Sequence, residues 1–144
     1  MTFPRASGTF VRRAFAALAA SAVLTLALPV FAGTYLNRAV VLLSGGAREA
    51  AYLRARIGDK ELARVTYRLA EARLDAARSM TVPKEVENAH PHLLLVLENY
   101  LQAAEAATLG EPDRFTLHLQ RALDEDRAFK TVLKQLGWVL PEPP

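Results

Sequence analysis

PKEVENAHPHLLLVLENYLQAAEAATLG, residues 83–110, decides the fold. Val86, Ala89, Leu93, Leu97, Tyr100, Ala104 and Ala107 recur every three or four positions, the spacing of one face of a helix. Pro83 suits the first turn of that helix, because the N–H it lacks is one that a helix start leaves unpaired. Gly110 closes it. Pro91 falls inside the pattern, and its ring clashes with the carbonyl of Glu87, so a kink or a restart is expected there. Leu93-Leu94-Leu95-Val96-Leu97 is apolar on every side, which predicts the most deeply buried segment of the chain.

The flanking segments repeat the period. Downstream, Pro112 opens a helix whose seam is Phe115, Leu119, Ala122, Phe129, Val132, Leu133 and Leu136, with Asp113 in the first turn, where the helix dipole favours a negative charge. Gly137 fits the left-handed position after its end, and Trp138 can then fold back onto Val132 or Leu133. Upstream, Lys60 to Ser79 has the seam Leu62, Val65, Leu69, Ala72, Ala76 and Met80, with Arg64, Arg68, Arg73 and Arg78 among acids on a face read as solvated. Before it, Leu36, Val40, Leu43, Ala47, Ala50, Leu53 and Ile57 pass in phase through Ser44-Gly45-Gly46. This predicts one helix, weakened or closely packed at the glycines, stopped by Gly58 and followed by Asp59 as an N-cap.

Connections of a few residues make successive helices antiparallel neighbours. The expected fold is all-α: an N-terminal export signal followed by an antiparallel up-down-up-down four-helix bundle. Its divisions are residues 1–32 as signal peptide or signal anchor, 33–140 as the bundle, and 141–144 as a Pro-rich tail. Ala106 to Pro112 followed by Phe115 resembles a tetratricopeptide repeat, which implies a helical-repeat scaffold as a further alternative. The 34-residue period of such repeats does not recur.

The leader is read from its chemistry. Residues 1–32 hold Arg5, Arg12 and Arg13 and no acidic side chain. An apolar run from Ala14 to Phe31 follows, and Val30-Phe31-Ala32 offers an A-x-A-like cut before Gly33. These eighteen residues, broken only by Ser21, Thr25 and Pro29, are also just long enough for an uncleaved anchor. Arg12-Arg13-Ala14-Phe15 fits part of a twin-arginine signal. The expected location is therefore periplasmic or secreted, with an inner-membrane anchor as the alternative.

Composition narrows the function classes. Removing the leader's three arginines from the 18 basic residues leaves 15, matching the 15 acidic ones. A formally neutral mature chain has no basic patch for nucleic acid, so that partner is excluded. With no cysteine there is no disulfide, thiolate metal site or covalent c-type haem. Membrane contact is expected only through an uncleaved N-terminal segment.

Glu87-Asn88-Ala89-His90 is an E-x-x-H, the pair that di-iron bundles use twice over; a second is absent. Glu87, His90 and His92 around Pro91 could still bind zinc or copper, since imidazole and carboxylate suit both. The competing reading is histidines bonded to groups that Pro91 leaves unpaired. Met80 and His118 invite comparison with b-type haem bundles, but Met80 ends the second helix and His118 begins the fourth, so Met80 is read as core and no cofactor is expected. Asp124-Glu125-Asp126, flanked by Arg121 and Arg127, reads as a self-neutralised face. No nucleophile stands beside a base in a catalytic pattern. The expectation is a non-catalytic exported bundle, a structural or interaction module of the bacterial cell envelope with a protein partner. The alternative is a metal- or small-ligand-binding bundle centred on Glu87, His90 and His92.

Overall fold

In the computed structural model, backbone is described for residues 16–143 and side chains for 32–143. The chain divides into two compact units, Met1–Phe31 and Ala32–Pro144. Every described side chain therefore belongs to the second unit. The export leader falls, apart from Ala32, on residues whose side chains lie outside the described set.

The protein is an all-α helical bundle. Its helices are α1 (Ala16–Ala55), α2 (Lys60–Arg78), α3 (His90–Leu109) and α4 (Pro112–Gln135), with a 3-10 turn at Lys84–Val86 and no strand among the described residues. Helix α3 packs against both α2 and α4. Its face Leu93, Val96, Leu97, Tyr100, Ala103, Ala104, Ala106 and Ala107 is buried. Leu95, expected to be enclosed with its neighbours, is instead exposed. The main core joins Leu93, Val96 and Leu97 to Phe129 and Leu133 of α4, Leu74 and Ala77 of α2, and Tyr35, Leu36, Ala39 and Leu43 of α1. A second cluster joins Leu53, Ala63 and Phe115 to the alanines of α3.

The restart at Pro91 is what the chain adopts. Helix α3 does not begin at Pro83: the 3-10 turn intervenes and α3 starts at His90, with Pro91 in its first turn. There the missing N–H leaves no hydrogen bond unmade. Helix α1 runs unbroken through Gly45 and Gly46. A β-carbon at Gly46 would lie 2.7 Å from Cδ2 of Tyr100, and one at Gly45 2.8 Å from Nη2 of Arg73. The glycines thus leave room for the Tyr100 ring of α3 and the Arg73 guanidinium of α2, and Gly46 is buried where Ala47 was expected to be.

The ends are fixed by caps. Helix α1 ends at Ala55 and Gly58 is not left-handed; the chain turns through residues 56–58, with the Asp59 N–H on the Arg56 carbonyl at 2.8 Å. The Asp59 carboxylate accepts from the Leu62 N–H at 3.0 Å, the expected N-cap of α2. Gly110 (φ 74°) and Gly137 (φ 84°) both take the left-handed conformation that glycine reaches without strain. The Trp138 N–H bonds the Leu133 carbonyl at 2.8 Å and that of Gly137 the Lys134 carbonyl at 3.1 Å, a Schellman ending that lays Trp138 on the core.

Helix α2 departs from the face its periodicity predicts. Its buried face is Ala63, Thr66, Ala70, Leu74 and Ala77, one residue round from the expected seam. Side-chain size explains the rotation. Ala63 meets Ala103, Ala104, Ala106 and Ala107, a contact of small residues that lets two helices approach closely. Periodicity weighs Leu62, Val65 and Leu69 more heavily than alanine, and so picks the wrong side.

Candidate functional site

The two histidines beside Pro91 point to different helices. Nδ1 of His90 lies 3.1 Å from the Tyr35 hydroxyl on α1, with the rings edge to face at 5.8 Å between centroids. Burial pushes the Tyr35 phenol well above its ordinary range and the His90 imidazole below its own, so a phenol O–H and a neutral ring face each other. His92 Nδ1 is 2.8 Å from Glu125 Oε2 on α4, with both side chains about one-third exposed. Glu87 is exposed in the turn before α3. Glu87, His90 and His92 are therefore not brought together, and among the described residues no group of three or more His, Asp or Glu could hold a metal ion.

The remaining candidates are likewise engaged in the framework. His118 Nδ1 lies 3.2 Å from Asn99 Oδ1, and burial, reinforced by Arg121 and Arg114 against Glu105, lowers its pKa. Met80 packs on the main core. In the acidic run, Asp124 pairs with Arg127, Asp126 with Lys130 at 2.5 Å, and Glu125 with His92. Asp124 and Asp126 thus each have a basic partner, as expected of a self-neutralised face, while Glu125 is held by an imidazole.

Arg73 is not on a solvated face. It donates from Nη1 and Nη2 to the two carboxylate oxygens of Glu49, each at 2.6 Å, and the side chains are only 15% and 23% exposed. This two-pronged pair, the geometry an arginine offers a carboxylate, clasps α2 to α1 directly over Gly45. Only the glycine pair, with Glu49 four residues after Gly45, hints at it in the sequence.

The rotation of α2 leaves the middle of its expected seam outside, while Leu62 and Met80 at its ends still pack on the core. Val65 and Leu69 are about half exposed, and Ala72 and Ala76 are open. Across from them on α1, Val41 is 55% and Tyr52 63% exposed. Two adjoining grooves run between these helices and share Val41 and Leu42. One is floored towards Ala76 and Met80, the other towards Leu69 and Ala72. The α1 edge carries Arg38 and Arg48. Among the described residues, apolar side chains at helical spacing thus lie without a partner along one side of the bundle. Among the residues with described side chains, no helix is long and apolar enough to cross a membrane.

Comparison of the chain with protein-family models, with curated proteins and with solved structures gives no match.

Proposed function

We infer that this chain is a non-catalytic exported protein, folded as an antiparallel up-down-up-down four-helix bundle, that serves as an interaction or structural module of the bacterial cell envelope. The observation that carries the reading is the unpartnered α1–α2 face. A contiguous apolar patch rimmed by charge marks a surface at which another molecule docks. The acid-free basic leader supports export. The short α1–α2 and α3–α4 connections support the up-down order. The absence of catalysis is supported by the histidines: each has a partner that holds its ring, and the one hydroxyl among those partners, that of Tyr35, is a phenol that burial keeps protonated.

Two measurements test the reading. A photo-crosslinking amino acid at Leu69 should give a defined adduct in cells, while one at Leu117, equally exposed but on α4, should not. Equal capture at both positions, or none at either, would overturn the interaction role. Intact mass of the envelope fraction should show a chain beginning at or near Gly33. A full-length species resisting alkaline extraction would establish the anchored alternative, and retention in the cytosol would overturn export.

A further inference from the structure

We propose that the α1–α2 face is covered by a second copy of this chain, related by a two-fold axis that runs across the helices at the level of Ala72. The inference rests on reading that face as an interaction surface, and it names the partner. Homodimers with a two-fold axis need a self-complementary patch, one that matches its own reversed image. This face has that property in both its charges and its shape.

The charges lie on the outer flank of the α2 stripe. Glu61, Arg68 and Asp75 succeed one another at seven-residue intervals, so they line one edge of the stripe formed by Val65, Leu69, Ala72 and Ala76. Arg68 has no ion-pair partner among the described residues. Asp75 is held only loosely by Arg78, at 3.7 Å with both side chains more than half exposed. When a reversed copy of α2 is laid on the first with the axis between residues 71 and 72, Arg68 comes opposite Asp75 of the second copy. Symmetry then supplies the same pair again.

The shape agrees, on independent residues. Across the groove Leu42 shares one hollow with Ala76, and Gly45 lies against the Arg73 guanidinium, 2.8 Å from where its β-carbon would be. The axis that pairs Arg68 with Asp75 therefore crosses α1 between residues 46 and 47. That places Val41 over Tyr52 of the second copy, twice, and these are the two most exposed large apolar residues among the described side chains of α1. Arg48 falls over Gly45 of the second copy, where the Arg73 guanidinium that covers this glycine is already neutralised by Glu49. Alanine at 72 and 76 allows the close approach that such pairing needs.

Sedimentation equilibrium of the chain as purified from cells should give twice its mass at micromolar concentration. Leu69→Glu should make it monomeric, with its helical circular dichroism unchanged as the control for folding and its urea midpoint no longer dependent on protein concentration. Arg68→Asp and Asp75→Arg should each weaken the dimer by about tenfold or more, because each sets like charges opposite one another twice. The double exchange Arg68→Asp/Asp75→Arg should restore it. A chain that stays monomeric, or a dimer indifferent to the charge exchanges, would overturn the proposal. If it is monomeric while a crosslinker at Leu69 captures a different protein, the second copy is wrong and the interaction role stands. Capture of neither overturns both. A crosslink from Leu69 to the chain's own leader, or Leu69-dependent binding to phosphatidylglycerol vesicles, would assign the face to another occupant and overturn the proposal.

Discussion

Replacing Gly46 by alanine sets two effects of opposite sign against each other. In a helix interior alanine is favoured over glycine by about 1 kcal/mol, so on propensity alone the change should stabilise α1. The added β-carbon, however, would stand 2.7 Å from Cδ2 and 3.1 Å from Cε2 of Tyr100. Carbon atoms prefer about 3.5–4.0 Å, so the ring or the helix must retreat by roughly 1 Å. Tyr100 has little freedom to do so, since its residue is only 7% exposed and sits in the main core. Overpacking of this kind costs about 1–3 kcal/mol. The expected balance is a net loss of up to about 2 kcal/mol, at about 4–8 °C in melting temperature per kcal/mol for a domain of this size. Thermal and urea melts followed by circular dichroism read it directly. Tyr100→Leu, which shortens the obstructing ring, should let the alanine act as a helix former, so the cycle of both changes should show strong coupling. A Gly46→Ala protein more stable than its parent by about 1 kcal/mol would refute the close α1–α3 contact.

Other expectations are as specific. Leu97→Ala, at a residue 1% exposed, should cost about 2–5 kcal/mol, whereas Leu69→Ala, at one 45% exposed, should cost less than about 1 kcal/mol; equal urea midpoints would mean that the face of α2 has been misassigned. Burial lowers the His90 pKa from 6.5, so below that pH the unfolded chain binds the extra proton more readily; stability should decline as pH falls from 6.5 through the folded value, and His90→Asn should flatten that decline in melts at pH 7.5 and 5.5. Tyr35 acts at the other end, because its raised pKa makes stability fall as pH rises above 10, a loss that Tyr35→Phe should lessen, the remainder belonging to Tyr100, whose phenol burial and Asp126 push up to about 12. Purified chain is expected to carry no stoichiometric metal, since His90 and His92 bond to Tyr35 and Glu125; one zinc or copper per chain, lost in His90→Ala, would favour the metal-binding alternative.

Much of the fold was legible because its signals are local. The seam of α3, that of α4 as far as Leu133 (Leu136, expected to close it, is exposed), the N-cap at Asp59 and the left-handed glycines at 110 and 137 depend on spacing and backbone preference, which a sequence displays. The face of α2 was not legible. Its contact with α3 is made of alanines, whose value lies in how near they let two backbones come, and nearness belongs to the pair of helices rather than to either sequence. The Arg73–Glu49 pair was hidden for a related reason: its partners lie 24 residues apart, and only the folded hairpin brings them together. The histidine cluster failed to assemble because positions two apart on a helix diverge by about 200°. Their partners, Tyr35 and Glu125, come from opposite ends of the chain.

The central place of α3 has a consequence for how the chain is made. Both α2 and α4 rest on it, yet it is third in order, and its last residue lies 30 positions beyond Ser79. At a ribosomal pace of about 5–20 residues per second, a finished α1–α2 hairpin waits about two to six seconds for the surface it needs. Throughout that interval α2 is apolar on two sides at once, with its alanines and its leucine stripe both in water. Nascent chains stalled between Arg78 and Leu109 are thus the species most prone to stick to one another, and that window closes only when α3 covers the alanine side.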